Sequence, residues 1–287
     1  MSYLDHINAC NNADPTRYAP FQIAGTVIGA LRPEFASALV GTGPDFRRDD
    51  DGIFGFAPHV TTLQDRNTAL ATAASILRDQ GVITRLHGEQ FDIRPSLGHD
   101  PLCQLDRSAM PYFGLRSWGV HMNGYVRKAD GIHMWIAHRA KDKPNYPGML
   151  DNMVAGGQPA GLGFLENMIK ECAEEADIPD HLAQHLKPVG TVSYLHETIE
   201  GIKPDVMVNF DLELPTDFTP RCADGEVERF ELLPLAEVAK TVRDGFEFKF
   251  NCALVIIDFL IRHGFLTADN EPTYCQLTTG LHRDIQL

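Results

Sequence analysis

Apolar and polar positions along the chain fall into short alternating runs and a few runs of helical period. "FQIAGTVIGAL" alternates and predicts a hairpin turning near Gly25, and "PEFASALV" predicts a short helix opened by Pro33. "GPDFRRDDDG" reads as a charged turn and "IFGFAPHV" as a strand. The clearest helix is "TTLQDRNTALATAASILRDQG": Thr61 or Thr62 caps it, Leu70, Ala74 and Leu77 share its apolar face, and Gly81 ends it. "FDIRP" predicts another strand. Neither period holds through "SLGHDPLCQLDRSAMP", which places a boundary there: an N-terminal α/β domain over 1–112 and a second domain over 113–287.

Beyond the boundary, "SWGVHMNGYVR" and "GIHMWIAHRA" predict two strands joined at the turn dipeptide Asp130-Gly131. "VGTVSYLHE", "DVMVNFDLELP" and "EVERFELLP" read as further strands, the last following a turn at Asp224-Gly225. "LAEVAKTVRDG" and "FNCALVIIDFLIRHG" read as helices, each closed by glycine.

Between these strands lies "AGGQPAGLGFLENMIKECAEEADIP". At 3.6 residues per turn Glu171 stacks under Glu175, with Glu174 beside them. Leu165, Met168, Ile169, Cys172 and Ala176 form the apolar side. Like charges at this spacing repel by a few tenths of a kcal/mol, roughly, so the cluster is either a solvated face or a seat for a hard divalent cation. Such cations take carboxylate oxygens, water and phosphate oxygens. The glycine-rich loop before the helix allows close backbone approach.

Composition narrows the partners. The formal net charge of -14 leaves no surplus of Lys and Arg to offset the phosphates of nucleic acid or an anionic membrane. A 44% apolar content is enough for a substantial core. The six cysteines show no CxxC spacing, the first residues do not read as a secretory signal, and no apolar run reaches eighteen residues. A cytoplasmic setting is the simplest expectation, and the chain is compatible with a homodimer.

The loop and helix resemble the Nudix box, G-x5-E-x7-R-E-U-x-E-E-x-G-U, where U is aliphatic. Gly156 falls on the first glycine, Lys170 through Glu175 on R-E-U-x-E-E, and Ile178 on the final U. The sequence departs in three places: Lys170 replaces the arginine, Leu162 the first glutamate and Asp177 the late glycine. Glu166, one turn before Lys170, is placed to pair with it in lieu of that glutamate. The resemblance implies an α+β fold: a Nudix α/β/α sandwich on a mixed sheet, after a smaller N-terminal α/β domain. It implies a metal-dependent diphosphate hydrolase using Mg²⁺, with Mn²⁺ as a possible substitute. Glu171, Glu174 and Glu175 would be metal-binding and catalytic, with a main-chain carbonyl at Ala155 or Gly156 completing the site.

Segments from about Gly114 to Val238 further resemble the branch related to thiamine-pyrophosphokinase-like Nudix proteins. That resemblance implies thiamine diphosphate, or a damaged oxo or oxy analogue, as substrate. Nudix enzymes often use an acidic residue outside the box; Glu226 and Glu228 are the candidates, with Glu226 nearer the turn. Arg139, Lys141 and Lys143 form the most basic local patch and are candidate phosphate contacts, although solvated loop cations are the commoner reading of any one. Tyr146 is a candidate for stacking on an aromatic ring. His121, His133 and His138 show no metal-ligand spacing among themselves. Two other functions share the fold: an isopentenyl-diphosphate-isomerase-like enzyme and a non-catalytic ligand sensor.

Overall fold

The computed structural model describes residues 1–143, 145–223 and 225–285. Asp224, of the turn expected at Asp224-Gly225, lies outside them. The chain opens with helix α1 (Tyr3–Cys10), followed by strands β1 (Ala19–Ile23) and β2 (Thr26–Leu31) and helix α2 (Pro33–Val40). Strands β3 (Phe46–Arg48) and β4 (Phe54–Phe56), helix α3 (Leu63–Asp79), strands β5 (Gln90–Ile93) and β6 (Cys103–Asp106) and helix α4 (Met110–Phe113) follow. Then come β7 (Trp118–Lys128), β8 (Gly131–Arg139), β9 (Leu150–Asp151), β10 (Val154–Gly157), α5 (Phe164–Ala176) and α6 (Asp180–Ala183). The chain closes with β11 (Lys187–Glu197), β12 (Ile202–Glu213), β13 (Val227–Pro234), α7 (Leu235–Asp244), α8 (Cys252–Arg262) and α9 (Tyr274–Leu281).

In the first part, Ala24 and Gly25 both take positive φ, 51° and 81°, as a tight hairpin turn demands. Thr62 caps α3 by accepting from the Asp65 N–H, and Asp65 accepts from Thr62 N in return. The segment expected to be a charged turn contains the short strand β3, paired with β4. The aperiodic boundary segment contains β6, which pairs antiparallel with β5. Its four residues are buried apart from the half-buried Gln104, and its Cys-Gln-Leu-Asp alternation is too short to stand out in the segment.

The second part holds a mixed sheet of order β11-β12-β7-β8-β13, with β12 parallel to β7 and the other pairings antiparallel. Strand β10 adds to the free edge of β7, and β9 to β8. Helix α5 covers one face through Met168, Cys172 and Ala176, packed on Val120, Met122 and Phe210. Helices α7, α8 and α9 cover the other, against Tyr125, Ile136, Tyr194 and Met207. The result is the α/β/α sandwich that the resemblance implies. Leu165, expected on the apolar side of α5, is instead 48% exposed, while its neighbour Phe164 packs on Trp118.

A separate core runs from Phe21 to Leu115. Helix α1 does not join it: Tyr3, Ile7 and Cys10 pack with α8 and α9. The ring of Phe91 on β5 lies against Gly157, the Ala160 N–H donates to the Gln90 carbonyl at 2.8 Å, and so the first part sits directly on the glycine loop. Among the described residues no helix is long and apolar enough to cross a membrane.

Candidate active site

Helix α5 delivers the three glutamates differently. Glu175 is buried, and its Oε2 accepts from the Ala155 N–H at 3.0 Å, which ties the last turn of the helix to β10. Burial pushes its carboxyl well above the ordinary range; the Ala155 N–H opposes this, and the charges of Asp151, Glu171 and Glu226 add to it. Glu171 is only 16% exposed and lies along Gly156, where an added Cβ would sit 2.5 Å from its Cδ. Burial raises its carboxyl too, Lys170 opposes, and Glu174 and Glu89 add to the rise. Glu174 is 51% exposed and receives the Lys170 ammonium at 2.6 Å.

Lys170 thus occupies the motif's arginine position and pairs with Glu174 and, at 3.5 Å, Glu171. Glu166 does something other than the pairing expected for it. Its carboxylate turns back to accept from the Gly163 N–H at 3.4 Å, at the helix start, where negative charge is favourable. Asp177 takes φ 52° and ψ 38°, the left-handed geometry for which the motif keeps a glycine. Asp177→Gly is therefore expected to raise stability by up to about 1 kcal/mol and leave turnover unchanged; urea unfolding measures the first and an activity assay the second.

The donor set suits a hard dication. Two carboxylates destabilised by burial and by neighbouring negative charge lie on adjacent residues of β10, Glu175 on the Ala155 N–H and Glu171 beside Gly156, whose missing side chain leaves it room. Glu171 and Glu175, with Glu174 at the rim, would hold it.

The other sequence candidates separate. Arg139 is spent: Nη1 donates to Asp151 at 2.7 Å, Nε to the Tyr146 carbonyl and Nη2 to the Asn145 carbonyl. Lys141 is 81% exposed and lies 3.7 Å from Glu228, while Lys143 pairs with Glu226. The basic loop is therefore met by the acidic segment before and within β13. Glu226 is the member of that segment whose charge reaches Glu175. Tyr146, at φ 52°, sets its ring 5.4 Å from Phe250.

A cleft of about 910 Å³ runs from Ala155, Gly156 and Gly157 of β10 to an aromatic wall. That wall is Phe250, stacked on His196 at 4.8 Å and edged by Tyr194 at 5.5 Å. The first part of the chain contributes Thr84, Arg85, Phe91, Arg107 and Ser108 to the opposite side. Sequence reasoning missed this wall because its members come from two segments more than fifty residues apart, β11 and the loop before α8.

At the cleft floor lies a buried polar network that spacing also did not reveal. His121, Asp151 and Cys252 bring ligand-type atoms within 4.8 Å of one another. As arranged, they form a hydrogen-bonded group and not a cation cage. The Cys252 thiol donates to Asp151 at 2.6 Å and burial holds it protonated, while His121 Nδ1 is engaged by Asn152 at 2.9 Å. Burial alone would raise the Asp151 carboxyl, but Lys249 and Arg139 hold it below the ordinary range. Burial pushes His121 down to about 4, so it is neutral at physiological pH. Two adjacent cations oppose a third positive centre there.

The comparisons divide along the chain. A family model described as a domain of unknown function, DUF4743, matches residues 2–117. Nudix hydrolase 20, chloroplastic, of Arabidopsis thaliana is 40% identical over 279 residues, covering 94% of this chain and 75% of that protein. Nudix hydrolase 24, chloroplastic, of the same plant is 38% identical over 286 residues, covering 96% and 76%. Of solved structures, DR0079 from Deinococcus radiodurans aligns with a TM-score of 0.43 at 22% identity, over 58% of this chain and 97% of that one. With two relatives near 40% identity over most of both chains, and a carboxylate helix seated on its glycine strand, this chain belongs to the Nudix hydrolases.

Proposed function

We propose that the protein hydrolyses the diphosphate of thiamine diphosphate, or of an oxo or oxy derivative of it, to the monophosphate and inorganic phosphate. The observation that carries this reading is the cleft, which runs from Ala155, Gly156 and Gly157 of β10, the strand against which Glu171 and Glu175 lie, to the aromatic wall of Tyr194, His196 and Phe250. A diphosphate at one end and a flat heteroaromatic ring at the other match those two surfaces in chemistry. Tyr146, beside Phe250, extends the wall.

Bound at Glu171, Glu174 and Glu175, Mg²⁺, or Mn²⁺ in its place, would neutralise phosphate charge and orient a water. The chain's own residues do the rest. The Ala155 N–H fixes Glu175, and Gly156 gives Glu171 its room. Glu226 takes the proton of the attacking water. The reach of its charge to Glu175 supports it over Glu228, which faces the exposed Lys141 at 3.7 Å.

The proposal extends to a division of labour between residues 1–112 and 113–287, with α1 docking on the second part. Thr84, Arg85 and Arg107 on the cleft wall support a role for the first part in selecting substrate. A site that hydrogen-bonds one ring substituent discriminates strongly against a ring lacking it. The test is a panel of diphosphates assayed with Mg²⁺ and Mn²⁺. Oxothiamine or oxythiamine diphosphate is expected to show a higher kcat/KM than thiamine diphosphate, giving monophosphate and phosphate. Equal or faster cleavage of nucleoside diphosphates or ADP-ribose would overturn the thiamine assignment.

A further inference from the structure

We infer that Lys249 is the cation that grips a non-bridging phosphate oxygen of the substrate. This rests on the diphosphatase reading above and deepens it. The residues that sequence pointed to are occupied: Arg139 by Asp151 and two loop carbonyls, Lys143 by Glu226. Lys141 is too exposed to be held in one place. The cleft's other cations are placed no better: the Arg107 guanidinium is engaged by Glu89 and His87, each at 2.7 Å, Lys203 pairs with Asp205 at 3.1 Å, and Arg85 is exposed like Lys141.

Lys249 differs from all of these. It lies on the cleft wall together with Ala155 and Gly156, and its side chain is only 20% exposed. Its backbone is fixed, because the Lys249 N–H donates to the Leu150 carbonyl at 2.8 Å and the Leu150 N–H to the Glu247 carbonyl at 3.0 Å. Its ammonium lies 4.0 Å from Asp151 Oδ2, close enough to hold its charge but beyond hydrogen-bond distance. Asp151 meanwhile receives Arg139 on that same oxygen at 2.7 Å. Among the described residues the Lys249 ammonium makes no hydrogen bond, so a largely buried side chain with three donors faces the cleft with them unspent. A phosphate oxygen is the acceptor that a fixed, partly desolvated ammonium binds most strongly. Its charge also acts on Glu175, one of the carboxylates that would hold the metal. Asp151 acts as the counter-ion that keeps it charged while the cleft is empty of anion.

The test uses the full chain and a non-hydrolysable probe, methylenediphosphonate with Mg²⁺, followed by calorimetry. Lys249→Met is expected to weaken its binding at least about tenfold. Binding of Mn²⁺ alone, read by electron paramagnetic resonance, should stay within about twofold, since the carboxylates are untouched. Lys249→Arg keeps the charge and guards against a variant that does not fold; its bulkier fork should shift affinity by about threefold or more. Affinity within twofold of wild type in whichever variant folds overturns the inference, whatever happens to the melting temperature. A role only as counter-ion to Asp151 would give that result, a lowered melting temperature with unchanged affinity. If the wild-type chain neither binds the probe nor releases phosphate from any diphosphate, the diphosphatase reading itself falls, a failure distinct from unchanged affinity in the variants.

Discussion

Glu175→Gln is expected to lower turnover at least about a hundredfold, while the metal-free protein melts no lower than wild type. The two halves have one cause. Glutamine keeps an oxygen to accept the Ala155 N–H, so the contact between α5 and β10 survives. It removes a buried negative charge that Asp151, Glu171 and Glu226 all repel. A folded-state carboxyl pushed above its unfolded value binds its proton more tightly when native, so it lowers native stability as pH rises from the unfolded value through the folded one. For Glu175 that window starts near the ordinary 4.5 and extends well upward. The melting temperature of Glu175→Gln minus that of wild type, both in EDTA, should therefore grow from pH 5 to pH 8. Taking the difference cancels Asp151 and Asp211, whose lowered carboxyls act in the opposite direction, losing stability as pH falls. Saturating Mg²⁺ should reverse the order at pH 8 by stabilising wild type alone. Wild-type turnover in the variant, or a difference that shrinks with pH, would remove Glu175 from the site.

Much of this was legible in sequence because it is local. The α5 glutamates, the Thr62 cap and the hairpins at Gly25 and Gly131 each depend on residues within one or two turns of one another. So does Asp177, whose left-handed geometry follows from its motif position. What was not legible is set by long-range pairing. The distribution of charge at the site depends on which cation meets which carboxylate. Spacing made Arg139 and Lys143 look available, yet Asp151 and Glu226 hold them. Lys249 stands in "FEFKFN", whose strict alternation signals an extended segment but not what it runs beside, and it reaches the cleft because the chain there bridges Leu150. Strand β6 was missed for another reason: Cys103-Gln104-Leu105-Asp106 does alternate, but over four residues only, the shortest run that signals a strand, inside a segment of turn-forming residues. The aromatic wall draws on β11, the loop before α8 and the loop before β9, which no window of sequence unites.

Gly156→Val is expected to reduce kcat/KM by about tenfold to a hundredfold with the fold intact, for a reason of space and not of backbone. Gly156 lies in β10, paired with Val120 of β7, and its φ is not in the left-handed region. A β-branched residue suits such a strand position, and on propensity alone valine would stabilise it. The obstacle is Glu171: a Cβ at 156 would stand 2.5 Å from its Cδ and 2.7 Å from its Cγ and Oε1. Real Cβ contacts do not come that close, so either β10 shifts or the glutamate side chain leaves. The strand is pinned by its ladder to β7 and by Glu175 on the Ala155 N–H. The glutamate, on a flexible two-carbon stem, is the part that moves, and moving it takes one carboxylate away from the cation seat. Affinity for Mn²⁺ should fall along with turnover. Gly161→Ala supplies the contrast, since Gly161 needs its φ of 83° but has nothing within 4 Å of a would-be Cβ. That substitution should lower the melting temperature through backbone strain and leave Mn²⁺ affinity where it was. Full Mn²⁺ affinity and turnover in Gly156→Val would mean that Glu171 tolerates displacement, and would shift the weight of the site onto Glu175 and Glu174.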